Sequence, residues 1–399
     1  MTNLLVYVVV LFIVAAVFRV DFFFYVLYFL FGVYLLARIW AEQALKRVNC
    51  TFQYAERVFP GERTTVHLTL TNTSPLVVPW LRLHESTPVQ LRSSAAFEGV
   101  LSLRPFERRE LSYDLDCRNR GYYVLGPLTV ESGDLFGFQR YRHSQETQRV
   151  LLVYPHVVPL TRLGLPAQSP FGSIPVKDRL YEDPTRLIGV REYVPGDSMR
   201  RIHWRTSAAT GKLQVKRFEP AISIEGQIIL DLRRDDYALA RFYSASELGI
   251  VAAASFAAHL IEARQSAGLA CNALDAMTGE EDVFILAPGR GQRHLMQMLD
   301  LLARVKLTTN GPSFSETLRR ASLGLSWGAT AIVILPDVTE ELFGVFLWMK
   351  QRGLHLTVIV TDPHQAFSSF QARAAQVGIH AHLVWQERDL DAWREAQET

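Results

Sequence analysis

The chain has 399 residues, 49% of them hydrophobic and 21% charged, with a formal net charge of +2. Hydrophobic content of about 45–50% belongs to globular proteins, which excludes a disordered, collagen-like or disulfide-scaffold chain, and the length allows two or three domains of roughly 100–200 residues. So even a charge balance sets up no global field toward nucleic acid or a membrane surface. The 3 cysteines, Cys50, Cys117 and Cys271, are scattered, offer no C-x-x-C pair for zinc, and suit a reducing compartment.

Residues 4–18 and 22–37 are unbroken apolar runs separated by Arg19-Val20-Asp21. With their flanks, each approaches the about 20 residues that a helix needs to cross a bilayer core. The pattern predicts a transmembrane helical hairpin over 1–48, with Arg19 and Asp21 at its apex. No Lys or Arg precedes the first run and no small-x-small site follows it, which argues against a signal peptide. Arg38, Lys46 and Arg47 flank the second run, so the positive-inside rule predicts an inner (cytoplasmic) membrane protein with the bulk of the chain in the cytoplasm. The sequons at Asn49 and Asn72 would carry no meaning there.

Over 49–160 the texture changes to short alternating segments at 64–71, 80–85, 100–103, 110–117, 122–130 and 150–154, with turns at Pro60-Gly61, 72–75, 119–121 and Ser132-Gly133. Period-two alternation between such turns predicts an antiparallel β-sandwich. Residues 161–221 form a linking segment. Over 222–399, apolar strands at 227–232, 283–286, 329–335, 354–361 and 379–385 alternate with helical patterns at 244–265, 292–305, 314–323, 340–351 and 366–376. That alternation predicts a doubly wound α/β domain. Asp231 and Asp337 stand at the carboxyl ends of two of its strands, where such sheets place their sites.

The linking segment is the most distinctive part of the chain. Between Arg186 and Arg217, eight Arg or Lys stand against two acids. Arg191-Glu192-Tyr193-Val194-Pro195-Gly196-Asp197 leads into Arg200-Arg201-Ile202-His203-Trp204-Arg205 and then Thr210-Gly211-Lys212-Leu213-Gln214-Val215. Pro195-Gly196-Asp197 is a turn, and a short helix is expected over 199–206. Glu192 and Asp197 are placed to pair with Arg200 or Arg205, and Trp204 and Tyr193 to stack on arginines. Arg191, Glu192, Tyr193, Gly196, Asp197, Arg200, Trp204 and Gly211 are therefore the candidate partner surface. Basic residues among aromatics also suit single-stranded nucleic acid, but charge alternating with Ile202, Trp204, Leu213 and Val215 fits a protein contact, and no nucleic-acid partner is expected.

This segment resembles the signature of domain-of-unknown-function family 58, R-E-Y-x-P-G-D-x-x-R-x-I-x-W-x-x-x-A-x-x-G-x-L-x-V-x-x-F-E, which it matches from Arg191 to Glu219. Upstream, Arg120-Gly121 and Asp134-Leu135-Phe136-Gly137 resemble that family's R-G and D-P-F-G elements, with Leu135 in place of proline. The resemblance implies a von Willebrand factor A-like C-terminal domain. It also implies partnership with a MoxR-type AAA+ ATPase and a membrane protein carrying a transglutaminase-like domain, hence an adaptor in assembly or maturation of cell-envelope or other complexes.

A von Willebrand A domain holds Mg²⁺ on D-x-S-x-S, a Thr and a later Asp. The corresponding residues here are Asp231, Asp235, Ser313 and Asp337, with Arg233 where the first serine would be. Arg233 brings its own cation, so an Arg–Asp polar cluster is expected in preference to an Mg²⁺ site, and no cofactor is assigned. The stretch TSAATGKL at 206–213 lacks the first Gly and the Ser/Thr of a P-loop, and Gly289-Arg290-Gly291 lacks the third glycine of a dinucleotide loop. His380 and His382 share a strand face without an evident third ligand. The rival class is a hydrolytic enzyme acting on an anionic substrate, with Glu192, Asp197 and His203 for acid–base work.

Overall fold

The computed structural model describes residues 6, 9, 10, 12–14, 17, 21–91, 98–133, 140–145, 149–160, 182–194, 199, 202–220, 225–363 and 367–390. The chain divides into two compact units, Met1–His156 with Leu299–Val305, and Val157–Met298 with Lys306–Thr399.

In the first unit, helix α1 spans Asp21–Lys46, 26 residues without a proline. It is long and apolar enough to cross a membrane by length and composition, and only 6% of its most apolar window is buried. Its character changes at one point. Phe22, Tyr25, Phe29 and Trp40 are exposed, whereas Ala41, Ala44 and Leu45 are buried, at the i, i+3, i+4 spacing of one helix face. Ala44 and Leu45 belong to the same apolar cluster as Leu68, Leu70, Leu81, Leu83 and Val130 of the strands that follow. Of the first apolar run, most positions lie outside the described residues; Phe12 meets Phe24 edge to face with ring centroids 6.3 Å apart.

The strands are β1 Val48–Gln53, β2 Arg57–Val58, β3 Arg63–Asn72, β4 Val78–Glu85, β5 Glu98–Leu103, β6 Arg108–Asp116, β7 Gly121–Leu125, β8 Leu128–Gly133, β9 Arg140–Gln145 and β10 Arg149–Val153. They form sheets of order β1-β3-β6, β2-β10-β7 and β5-β4-β8-β9, and every pair is antiparallel except β2 with β10. Burial alternates strictly along β3, where Thr64, Val66, Leu68, Leu70 and Asn72 point inward, as a half-buried strand requires. The single strand expected over 122–130 is two, β7 and β8, parted by the cis Gly126-Pro127 bond. Asp134-Leu135-Phe136-Gly137 lies outside the described residues.

The second unit opens with a two-stranded antiparallel ribbon, β11 Glu182–Glu192 and β12 Gln214–Pro220, with helix α2 Trp204–Thr210 between them. The larger element is a sheet built from β13 Glu225–Asp231, β14 Ser266–Asp275, β15 Glu281–Gly289, β16 Val305–Lys306, β17 Thr330–Leu335, β18 His355–Val360 and β19 His380–Leu383. Its order is β15-β14-β13-β17-β18-β19, with β16 beside β14. Strands β14, β13, β17, β18 and β19 are mutually parallel and β15 is antiparallel. Helices α3 Phe242–Glu262, α4 Gln292–Arg304, α5 Phe314–Leu323, α6 Glu340–Gln351 and α7 Phe367–Gln376 connect or follow the strands. Helix α3 is also long and apolar enough to span a bilayer, but 83% of its window is buried, which makes it a core helix.

An ion pair lies inside the sandwich. Arg149 Nη2 donates to Glu85, which also accepts from the Tyr113 hydroxyl, and both members of the ion pair are buried. The guanidinium lies 3.2 Å from the centre of the Phe52 ring. Burial first, then the Glu85 carboxylate, push the Tyr113 phenol up from its ordinary value. Removing one partner of a buried pair strands the other charge, at about 3–5 kcal/mol, whereas an exposed pair contributes at most about 1 kcal/mol. Urea unfolding of the full chain in detergent should therefore show a large loss for Glu85→Ala. Glu110→Ala, which breaks the exposed pair with Arg108, should cost under about 1 kcal/mol.

Candidate interaction site on the signature ribbon

The signature is held mainly by backbone bonds around β12. Val215 stands opposite Arg191 on one flank and bridges Ile202 on the other, and Ile202 and Val215 are both buried. Tyr193 N donates to Leu213 O at 2.9 Å and His203 N to Gln214 O at 2.8 Å. The helix is α2, starting at Trp204 and not near 199, because His203 acts as its cap: Nδ1 accepts from Thr206 N at 3.2 Å. Ser207 Oγ donates to His203 O at 3.0 Å and accepts from Gln214 N at 2.8 Å, tying helix to strand. Gly211 closes the helix at φ +72, its N–H donating to Ser207 O at 2.9 Å.

What this frame presents outward is apolar and basic. Trp204 is 66% exposed, Met199 61%, Val194 56% and Leu213 43%, while Arg191, Arg205 and Lys212 are exposed too. Among the described residues Glu192 pairs with Lys212 and not with Arg205: its Oε1 accepts from Lys212 Nζ at 2.9 Å, with both side chains exposed. The register explains this, since Glu192 faces Gln214, two residues from Lys212. Arg191 Nη1 donates to Glu192 O at 3.2 Å, and Tyr193 is half-buried. Gly196, Asp197 and Arg200 lie outside the described residues. Glu192 and His203 stand on opposite flanks of β12, and His203 Nδ1 is engaged in capping.

A second cluster sits at the carboxyl ends of β13 and its neighbours. Asp231 is buried and its Oδ1 accepts from Asn272 Nδ2 at 2.9 Å and Arg233 N at 3.1 Å, while Asn272 Oδ1 takes Leu232 N at 2.8 Å. Tyr237 hydroxyl donates to Asp231 O at 2.6 Å. Burial first, then the adjacent Asp236 carboxylate, push the Asp231 carboxyl well up from its ordinary value, and burial raises Asp236 too. Asp235 points to solvent and sits 3.7 Å from Arg233 Nη2. Ser313 caps α5, accepting from Glu316 N at 3.3 Å, and Asp337 Oδ1 accepts from Val338 N at 2.9 Å. Arg241 Nη1 reaches buried Asp362 at 3.2 Å and its guanidinium covers the Trp385 ring at 4.4 Å. Among the described residues, no three His, Cys, Asp or Glu converge to hold a metal ion. Arg233, beside Asp235 and acting on Asp236, brings its own positive charge to the acids that would ligate a divalent ion. Asp236, Tyr237, Asn272, Arg241 and Asp362 were not evident in the sequence; Asp236, one residue past the motif-like Asp235, was the nearest signal. Elsewhere, burial lowers the His382 imidazole to about 4 and leaves it neutral.

Residues 189–366 match the family model described as "Protein of unknown function DUF58". An uncharacterised protein of Bacillus subtilis (strain 168), YeaD, is 25% identical over 317 residues, covering 77% of this chain and 73% of its own. Among solved structures, a CARDB domain from Pyrococcus furiosus, in complex with di-metal ions, is similar at 14% identity over 27% of this chain and 91% of its own, with TM-score 0.20. Native alpha-2-macroglobulin from Escherichia coli is similar at 14% identity over 29% of this chain and 20% of its own, with TM-score 0.24. Scores this low define no shared fold.

Two outcomes follow from these geometries. In the ribbon, Ile202→Ala should cost about 2–5 kcal/mol and Gly211→Ala about 1 kcal/mol, the latter from backbone conformation alone because its Cβ would meet open space. Glu192→Ala and Lys212→Ala should leave the thermal midpoint of the full chain unchanged. At the second cluster, Asp231→Ala leaves the Asn272 and Arg233 donors without an acceptor and should cost about 1–3 kcal/mol. Asp231→Asn keeps an acceptor. A carboxyl raised in the folded state stabilises the fold while protonated and loses that contribution as pH rises through its folded pKa. Melting from pH 5 to 8 should therefore show the wild type falling relative to Asp231→Asn as pH increases.

Proposed function

We propose that the chain is a membrane-anchored, cytoplasm-facing adaptor whose signature ribbon docks a partner protein, and that the partner is a MoxR-type AAA+ ATPase acting in assembly or maturation of cell-envelope or other complexes. A transglutaminase-like membrane protein is the further partner that the family resemblance suggests. One observation carries the docking part: a ribbon fixed by backbone bonds leaves Trp204, Met199, Val194 and Leu213 exposed together with Arg191, Arg205 and Lys212. Trp and Arg, both exposed on this ribbon, are the residue types enriched at binding hot spots.

Support for the anchor comes from α1 and from the first apolar run. Residues 12 apart on one continuous helix lie about 18 Å apart, so the 6.3 Å contact of the Phe12 and Phe24 rings supports a chain reversal between them and hence a hairpin. Arg38, Lys46 and Arg47 support the cytoplasmic side. The sheet order β15-β14-β13-β17-β18-β19, with the antiparallel strand at one edge, supports the von Willebrand A-like domain, in a form that carries Arg233 beside its acids.

The test is direct binding. The full chain in lipid nanodiscs should bind the purified MoxR-type ATPase of the same cell, and Trp204→Ala should weaken that binding at least tenfold, a change expected of a hot-spot residue, without lowering the melting midpoint. Reporter fusions after Thr399 should be active only as cytoplasmic reporters. Unchanged affinity for Trp204→Ala, or an extracytoplasmic carboxyl terminus, overturns the proposal.

A further inference from the structure

The sandwich carries exposed apolar groups at one end, and they gather around the exit of α1. The register fixes which end this is. Val48 pairs with Asn72, Thr71 with Arg108, and Val78 with Leu103. The turn after β3 (73–77) and the turn after β5 (104–107) therefore both lie at the end where α1 enters. Asn72, fully buried, fastens them together: its Nδ2 donates to Leu76 O at 2.8 Å and Arg104 O at 2.9 Å, and its Oδ1 accepts from Ser74 Oγ at 2.8 Å. Phe106 N donates to Ser74 O at 3.3 Å, and Thr73 N to Arg47 O at 3.0 Å at the foot of the helix. The first of these turns then climbs the helix, because Trp40 Nε1 donates to Val77 O at 2.9 Å.

Phe106 is the telling residue. It sits in the turn closed by Glu107 N to Arg104 O at 3.2 Å, after Pro105, at φ +58. A turn with positive φ there favours Gly or Asn, and a bulky side chain is an outlier that needs a reason. Packing does not supply one, since Phe106 is 67% exposed. Val77 and Trp40 beside it are exposed as well.

Helix length gives the reason. Twenty residues span a hydrocarbon core of about 30 Å, and about twenty residues counted from Phe22 end at Ala41, the first α1 residue buried in the sandwich. A bilayer on α1 would thus end at the level of Trp40, where aromatic side chains prefer to sit, and Val77 is bonded at that level. The rim is also basic: Arg38, Lys46, Arg47, Arg104, Arg108 and Arg109 stand against Glu42, Glu107 and Glu110.

We propose that this end of the sandwich is a lipid-docking surface: Phe106 and Val77 enter the headgroup layer of the bilayer that holds α1, and Arg104 with its basic neighbours selects anionic lipid. Apolar wedges beside cations are what interfacial binding to anionic leaflets uses. The proposal rests on α1 being a membrane helix, and the experiment separates the two. A photoreactive benzoylphenylalanine is placed in the full chain at Phe29, Phe106 or Asn119, the last at the opposite end of the sandwich, and the protein is reconstituted in vesicles of phosphatidylcholine and phosphatidylglycerol at about 3:1. Mass spectrometry of the adducts should find lipid on 29 and 106 and none on 119, with phosphatidylglycerol enriched on 106. Arg104→Ala should reduce that enrichment by up to about fivefold, the equivalent of about 1 kcal/mol per basic residue near the surface. Phe106→Gly should melt no lower than the parent protein. Lipid on 29 but not on 106, protein adducts on 106 in its place, or a lower melting midpoint for Phe106→Gly overturns the docking surface alone. Absence of lipid on 29 overturns the anchor and the docking surface with it.

Discussion

The burial of one helical turn decides how the first unit works. Ala41, Ala44 and Leu45 are buried, and Ala44 and Leu45 enter the apolar cluster of β3, β4 and β8 directly, so α1 and the sandwich share a core with no flexible linker. A helix that ended in a free tether would leave the strands able to turn against it. Here the small side chains of Ala41 and Ala44 let the helix approach the sheet closely, and the chain passes from Lys46 into β1 at Val48. Whatever orients α1 also orients the sandwich, and the exposed groups around its exit take a fixed height on the helix axis.

The ribbon follows a different physical rule. Its stability comes from main-chain bonds to Leu213 and Gln214, the small buried pair Ile202 and Val215, and the capping of α2 by His203. None of these uses the charged side chains that make the segment distinctive. Fixing the backbone by means independent of the outward side chains leaves those side chains available, at little conformational cost, for whatever contacts them. The Glu192–Lys212 pair is exposed at both ends, so it orders charge on the surface without holding the fold.

Much of the architecture could be read from residue patterns, and the failures have physical causes. The bounds expected for α5 and α6 agree with the structure to the residue, since both have Ser or Thr caps before an amphipathic run. Strand β14 was missed because Ser266–Asp275 is rich in Ala, Gly and Cys; it is buried on both faces between β13 and β15, where small residues fit and the usual β-branched signal is absent. Strand β9 was missed because Arg140–Gln145 is polar throughout. At the sites, Arg191, Glu192 and Trp204 were legible as a group, but their partners were not, because pairing across β11 and β12 depends on register, which the sequence leaves open. Asn272 is the clearest loss: a polar residue in the apolar middle of β14, forty-one positions from Asp231, has no local pattern to announce it.

The cluster at the end of β13 and the ribbon differ in how their charged groups are met. The carboxyl ends of parallel strands at a switch in strand order are where such sheets bind ligands, and Asp231 sits there. Several of its groups are answered from within: Asp231 by Asn272 and the Arg233 amide, Asp362 by Arg241, and Arg241 in turn by the Trp385 ring. An ion entering this crevice would compete with those internal partners and meet the positive charge of Arg233. The ribbon has the opposite balance. Its apolar groups are exposed and its cations outnumber its acids, so contact with another surface removes apolar area from water and brings neutralising charge, both of which favour association. The same sequence thus contains a cluster whose charges pair largely within the fold and a ribbon whose apolar and basic groups face solvent.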